Sequence, residues 1–240
     1  MHQDLSSVSG VVAIVPAAGV GSRMGTDVPK QYLKLNNKTI LDITLDKLLK
    51  FEPISLVVLV ISPQDSHYTK LENIEHKNIV VIEGGEERSN SVHNALRYLF
   101  DSGLADDVPV MVHDAARPCI THEDLEKLYQ SFQADQQACL LAAPVIDTLQ
   151  SITPEKQVVN VVERDHLVRA FTPQMARFID LNNSLGKAID NRNMVTDEVS
   201  ALTLSGHPVR VVLGRSDNIK ITNTEDLPLA EFYLNKYENS

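Results

Sequence analysis

Short apolar runs alternate with stretches of helical periodicity along most of this chain. Val11-Val12-Ala13-Ile14-Val15 is the first run, apolar on both faces as a buried parallel strand must be. From about Thr39 to Phe51, apolar residues at Ile40, Leu41, Leu45, Leu48 and Leu49 form a helical stripe. Leu56–Ile61 and Ile79–Ile82 are the next two strands, the latter ending in Gly84-Gly85. Ser89 to Phe100 predicts a helix with Val92, Leu96 and Leu99 on one face. Val108–Val112 is the fourth strand, running into His113-Asp114-Ala115-Ala116-Arg117-Pro118. Thr121 is a suitable N-cap for a helix through Phe132, with Glu123 and Asp124 in its first turn. Cys139–Ala143 is the fifth strand. This order predicts an α/β fold, a mostly parallel twisted sheet with helices on both faces. Such sheets bind ligands at the carboxyl ends of their strands.

One segment breaks the pattern. Val145–Ile152, the turn Thr153-Pro154-Glu155-Lys156 and Gln157–Glu163 read as two β-branched strands with no helix between them. A lone hairpin is marginal in water, so this protruding β-hairpin must pack on the rest of its own subunit or on a second one.

The first strand leads into Pro16-Ala17-Ala18-Gly19-Val20-Gly21-Ser22-Arg23-Met24-Gly25, then Pro29-Lys30-Gln31-Tyr32. Small residues at a strand end let backbone N–H groups close on a ligand, and Arg23 and Lys30 add fixed charge. A chain of phosphates suits such a loop. A Walker loop is excluded, because Thr26-Asp27 follow Gly25 where a lysine is required. A dinucleotide fingerprint is excluded because the third glycine comes one residue late, Pro29 interrupts the helix, and the strand Leu56–Ile61 ends in Ser62-Pro63. The remaining choices are an open nucleotide loop and a glycine-rich turn with two solvated cations.

Composition narrows the partners. The 240 residues suffice for a single domain, 1–240, with a sizeable core. A net charge of -10 argues against nucleic acid or an anionic membrane as the main partner. No apolar run is long enough to span a bilayer, and Met1–Gly10 does not read as a signal peptide. The two cysteines, Cys119 and Cys139, lack metal spacing and fit reduced thiols in the cytoplasm. The eight histidines also lack ligand spacing, and His113 reads as structural.

Further motifs accompany the loop: Gly84-Gly85-x-x-Arg88-x-x-Ser91-Val92, His113 through Pro118, Ala143-Pro144-Val145-x-Asp147-Thr148, Thr172-Pro173-Gln174, Thr196-Asp197-Glu198 and Asn218-Ile219-Lys220. In this order, from Val11 to about Tyr233, the chain resembles the 2-C-methyl-D-erythritol 4-phosphate cytidylyltransferases. The resemblance implies a Rossmann-like nucleotidyltransferase fold that joins CTP to a polyol phosphate and releases pyrophosphate. It implies catalytic roles for Arg23, Lys30, Arg164 and Lys220. Ala17, Ala18, Gly19, Gly21, Gly85, Glu86, Ser91, Asp114 and Ala115 would hold the nucleotide. Arg117, Thr148, Arg164, Thr196 and Lys220 would hold the acceptor. Mg2+ or another divalent cation would ride on the triphosphate, with Asp114 facing either the metal or the ribose, or capping a turn. Arg88 would orient the loop or lie on the surface. The hairpin, 145–164, would be exchanged between the subunits of a homodimer. A ribitol-5-phosphate cytidylyltransferase and a CTP-binding regulatory module without turnover are the rival readings.

Overall fold

Parity along β1 (Val11–Pro16) decides how the molecule is layered. Successive side chains of a strand point to opposite faces. Ala13 and Val15 thus pack with Leu41, Leu45 and Leu48 of α1 (Ile40–Leu49) and Leu125, Leu128 and Phe132 of α3 (His122–Asp135). Val12 and Ile14 face Val92, Leu96 and Leu99 of α2 (Arg88–Asp101) and Phe178, Leu181 and Leu185 of α4 (Phe178–Asp190). The sheet has two apolar faces, which is why its central strands carry unbroken apolar runs. These observations come from a computed structural model that describes residues 3–19 and 28–238.

Among the described residues, seven strands form the main sheet. Besides β1 they are β4 (Ile54–Ile61), β5 (Ile79–Glu83), β6 (Pro109–Val112), β7 (Ala138–Pro144), β10 (Val168–Arg177) and β11 (Val209–Leu213). Their spatial order is β11-β7-β10-β6-β1-β4-β5. The pairings β6–β1, β1–β4, β4–β5 and β11–β7 are parallel. Strand β10 is antiparallel to both its neighbours, so the sheet is mixed where the run pattern alone predicts a parallel one. The hairpin explains the reversal: the chain leaves through β7, turns back in the arm, and re-enters in the opposite direction.

The arm consists of β8 (Leu149–Ile152) and β9 (Val158–Val162), paired only with each other. Ile152, Val158, Val159 and Val161 are more than half exposed on it. A second two-residue pair, β2 (Lys34–Leu35) with β3 (Lys38–Thr39), precedes α1. Beyond β10 lie α4, α5 (Glu198–Leu204), β11 and α6 (Asp226–Glu238). Helix α6 adds a small third cluster, in which Ala230 and Leu234 meet Leu35, Ile40, Cys119 and Ile221.

Helix starts follow local chemistry. Thr39 and Thr121 cap α1 and α3, accepting from the N–H groups of Asp42 and Asp124. Asp197 and Ser200 form a reciprocal capping box at α5.

Leu59, with no exposed surface, pairs with Val15 on one side and Val81 on the other. Leu59→Ala should cost about 2–5 kcal/mol, read as a lower urea midpoint with the slope unchanged.

Candidate active site

Three strand ends converge on one open cleft. Ala17, Ala18 and Gly19 extend from β1, Gly85 and Glu86 follow β5, and Asp114, Ala115 and Ala116 follow β6. Lys30, Gln31, Arg88, Ser91 and Lys220 complete the wall. The sequence-predicted residues Ala17, Ala18, Gly19, Lys30, Gly85, Glu86, Ser91, Asp114, Ala115 and Lys220 are thus brought together. Gly21 and Arg23 lie outside the described residues.

The β1 end is held from below. Gln31 is buried, and its Nε2 donates to the carbonyls of Ala17 at 2.8 Å and Gly19 at 3.3 Å. The neighbouring Tyr32 hydroxyl donates to Asp65 at 2.6 Å, anchoring the same turn to the loop after β4. Lys30 Nζ donates to the Ile221 carbonyl at 3.1 Å. On the opposite wall, a Cβ on Gly84 would stand 2.6 Å from the Ala18 Cβ and 2.7 Å from Ser91 Oγ. A Cβ on Gly85 would stand 2.5 Å from that of Asn90. The two glycines are therefore required by close approach rather than by backbone angle. Ser91 Oγ accepts from the Gly85 N–H at 3.1 Å and donates to the Glu87 carbonyl at 3.0 Å, fixing this loop. Glu86 lines the cleft and is exposed.

The cleft floor is a charged cluster centred on Asp114, which is nearly buried. Arg88 Nε donates to its Oδ1 at 3.0 Å. Its Oδ2 pairs with Lys220 Nζ at 2.9 Å and lies 3.5 Å from Arg117 Nε. Burial by itself would raise the pKa of this carboxyl; the charges of Arg88, Lys220 and Arg117 overcome it and hold it well below the usual range. Arg88 then forks onto Glu198, at 2.7 and 3.0 Å, with both carboxylate oxygens engaged. Burial opposes the Arg88 charge, yet Glu198 and Asp114 together raise its pKa.

His113 braces the turn that carries Asp114. The Arg117 carbonyl can only accept, so His113 Nε2 carries the ring hydrogen and donates to it at 3.1 Å. Nδ1 of the neutral ring then accepts from the Thr172 hydroxyl at 3.3 Å, while Thr172 Oγ1 itself accepts from the Asp114 N–H at 3.0 Å. The ring is fully buried and neutral, as expected of a structural histidine; burial pushes its pKa down to about 4. Arg117 also donates to the Asn218 carbonyl at 2.8 Å, and Asn218 donates to the Thr172 carbonyl at 2.9 Å. Arg117 and Arg169 both stack on Phe171, with Cζ 5.3 and 5.5 Å from the ring centre.

The remaining acceptor residues lie apart from this cleft. Thr148 and Arg164 are on the arm, exposed, and Arg164 donates to the Ile146 carbonyl beside it. Thr196 lines an adjoining pocket of about 400 Å³ that shares Glu87 and Arg88 with the main one. Arg117 stands behind the wall, reaching the cleft through Asp114. Sequence reasoning assigned no role to Glu198 or Gln31 and gave Arg88 only loop orientation or a surface place. The signal for Glu198 was its place in the Thr196-Asp197-Glu198 motif; nothing in the spacing shows that an acid 110 positions from Arg88 meets it.

Among the described residues no group of three or more histidine, cysteine, aspartate or glutamate side chains could hold a metal. Three cations already surround Asp114, so a divalent ion placed on it would stand among like charges. These residues fit an ion carried by the ligand's own phosphates and not a protein-bound one.

A strand-end cleft with a small-residue loop, two lysines and a buried carboxylate is that of a nucleotide-binding transferase. The chain belongs to the 2-C-methyl-D-erythritol 4-phosphate cytidylyltransferase (IspD) family, whose model matches residues 11–236. It is 44% identical over 226 residues to the protein of that name from Mannheimia succiniciproducens, covering 94% of this chain and 96% of that one. Identity to the Vibrio atlanticus protein of the same name is 46% over 231 residues, covering 96% and 98%. The crystal structure of the Francisella tularensis protein superposes with a TM-score of 0.81 at 38% identity, covering 94% of this chain and all of that one.

The neutral His113 has a consequence for acid stability. Between its ordinary value of 6.5 and its folded value of about 4, the unfolded chain binds a proton that the folded protein refuses. Stability therefore falls as pH falls through that window, by at most about 3 kcal/mol from this group. His113→Gln should flatten the dependence of the urea midpoint on pH between 6.5 and 4, whatever it does to stability at neutral pH; an unchanged slope would contradict the assignment.

Proposed function

We propose that this protein transfers the cytidylyl group of CTP to 2-C-methyl-D-erythritol 4-phosphate, forming 4-diphosphocytidyl-2-C-methyl-D-erythritol and pyrophosphate. The step belongs to isoprenoid precursor synthesis by the non-mevalonate pathway. Family membership supports this reading over a ribitol-5-phosphate cytidylyltransferase or a CTP sensor without turnover. The single observation that carries it in the structure is the cleft itself, where Lys30 and Lys220 line an open strand-end space together with Ala17, Ala18, Gly19 and Gly85.

The chemistry asks little of acid–base catalysis. A phosphate oxygen of the acceptor attacks the α-phosphorus of CTP; the bond to the β-phosphate oxygen breaks, and pyrophosphate leaves with its electron pair. A phosphate dianion is already a nucleophile, so the protein's task is to offset repulsion between anions and hold them in line. Arg23 and Lys30 act on the triphosphate and on the charge developing at the α-phosphorus. Lys220 bridges from Asp114 towards the incoming phosphate, while Asp114 and Ala115 face the ribose. Ala17, Ala18, Gly19, Gly21, Gly85, Glu86 and Ser91 enclose the base and phosphates, and backbone carbonyls there select the exocyclic amine of cytosine. A divalent ion such as Mg2+ would come as part of the triphosphate substrate and would supply neutralisation of its phosphate charge.

Arg117, Thr148, Arg164 and Thr196, with Lys220, form the acceptor side. Thr148 and Arg164 sit on the arm, 145–164, and we propose that residues 1–240 form one nucleotidyltransferase domain whose arm dimerises. The exposed apolar side chains of β8 and β9 support this, since a bare two-stranded hairpin gains stability by docking. No helix among the described residues is long and apolar enough to cross a membrane. Cys119 and Cys139 are buried free thiols, as suits a reducing compartment, and we propose a cytoplasmic location with neither nucleic acid nor membrane as partner.

Pyrophosphate release on mixing CTP with the methylerythritol phosphate tests the reaction, and release with ribitol 5-phosphate at equal efficiency would redirect it. UTP should be a markedly poorer donor. Lys30→Ala should lower kcat on the order of 10²–10³ with the circular dichroism spectrum unchanged; near-normal turnover would remove Lys30 from the chemistry.

A mixture of two inactive variants tests the shared arm. Arg164→Ala and Lys30→Ala subunits, allowed to exchange, should regain up to about half the normal activity per mixed dimer, because one site of each carries neither lesion. A protein that is monomeric by light scattering, or no recovery after verified exchange, would leave each subunit self-contained.

A further inference from the structure

Glu198 is a charged side chain only 2% exposed, in a helix that does not need it for docking. Helix α5 is already secured by its capping box and by Gln174, which donates to Asp197 at 2.9 Å and accepts from the Val199 N–H at 2.9 Å. An acid in a first helical turn is ordinarily solvated and interacts with the helix dipole. Here both oxygens are instead spent on one partly buried arginine, at 2.7 and 3.0 Å. A buried acid is costly unless fully paired, and this pairing leads straight to the cleft: Arg88 continues to Asp114, and Asp114 to Lys220.

We propose that Glu198 is a positioning residue that sets Lys220 for the acceptor phosphate by sharing Arg88 with Asp114. The cluster holds two carboxylates against three cations: Arg88, Arg117 and Lys220. Arg88 gives its fork to Glu198 and a single N–H to Asp114 Oδ1, so Asp114 keeps its other oxygen for Lys220. Without the charge of Glu198, Arg88 has one countercharge left and closes on Asp114. Lys220 then competes for the same carboxylate, and loses the fixed place from which it meets a phosphate. CTP is held chiefly by the β1 and β5 loops and meets this link only through Asp114 at the ribose, so its affinity changes far less than that of the acceptor.

The inference rests on the proposed reaction for its kinetic consequence but not for its structural one, so two readouts are taken on Glu198→Gln. In the ligand-free protein, the side-chain ammonium signal of Lys220 is followed by proton–nitrogen spectroscopy at low temperature and assigned through Lys220→Arg. It should shift or broaden in Glu198→Gln and stay in place in Asp180→Asn, a remote acid paired with Arg177. In turnover, KM for the methylerythritol phosphate should rise about tenfold, equivalent to about 1.4 kcal/mol, while the CTP dissociation constant by calorimetry stays within about twofold. A role limited to holding α5 would lower the melting temperature or the active fraction and move neither Lys220 nor the acceptor KM. An unmoved Lys220 signal, or an unchanged acceptor KM in an active enzyme, overturns the proposal. If the wild type transfers no cytidylyl group, the proposed function fails and the Lys220 signal alone decides the positioning role. Should Gln at 198 leave the chain unfolded, Glu198→Asp, which keeps the charge but cannot span the fork, is measured in its place with the same deciding outcomes.

Discussion

The carboxylate of Asp114 is the point on which the cleft depends. It lies at the end of β6, yet its partners come from the start of α2, from its own turn and from the segment after β11. A carboxylate with this little exposure persists as an anion only because several cations surround it, and those cations would repel one another without it. Each therefore makes the other's burial affordable. Around this centre the backbone is fixed by neutral contacts: Thr172 to the Asp114 N–H, His113 to the Arg117 carbonyl and to Thr172, and Asn218 across to Thr172. A cleft built in this way is preorganised for anions, since its charges are held by the protein and need not be gathered when a ligand arrives.

Much of the fold could be read from the chain because both faces of the sheet are buried. Unbroken apolar runs then mark β1, β4 and β7, and helical stripes mark α1 and α2, to within a residue or two. The cap at Thr121 was legible for the same local reason. Strand β10 was not, since Pro173 lacks an N–H and argues against a sheet interior. The structure accommodates it where the register with β7 breaks, between Ala170 and Gln174. The elements after β10 lack compact runs of comparable length, and their placement depends on tertiary contacts.

At the site, what could be read was whatever sits at strand ends: Ala17, Gly85, Asp114 and the small residues near them. Motif resemblance supplied Lys30 and Lys220, and physics agreed with the charge they bring. The relay through Arg88 to Glu198 stayed hidden because it joins the starts of two helices far apart in the chain. An arginine opening a helix reads as surface chemistry until its partners are known. Gln31 was hidden too, because a polar residue beside a lysine gives no sign that it is buried and clamps two carbonyls.

One strand, β10, carries the chain from the base of the arm at Val168 to the residues that brace the cleft, Thr172 and Gln174, with its ladder to β7 regular as far as Ala170. This sets rules for insertion and deletion. A residue gained or lost between Val168 and Ala170, where the ladder with β7 is regular, would turn the side chains that follow to the other face and carry Thr172 away from the Asp114 turn. The arm can change length without that penalty only at its tip, where Thr153 to Lys156 form a turn with no partner in the main sheet. The fold thus confines drift in the size of its arm to the end farthest from the chemistry.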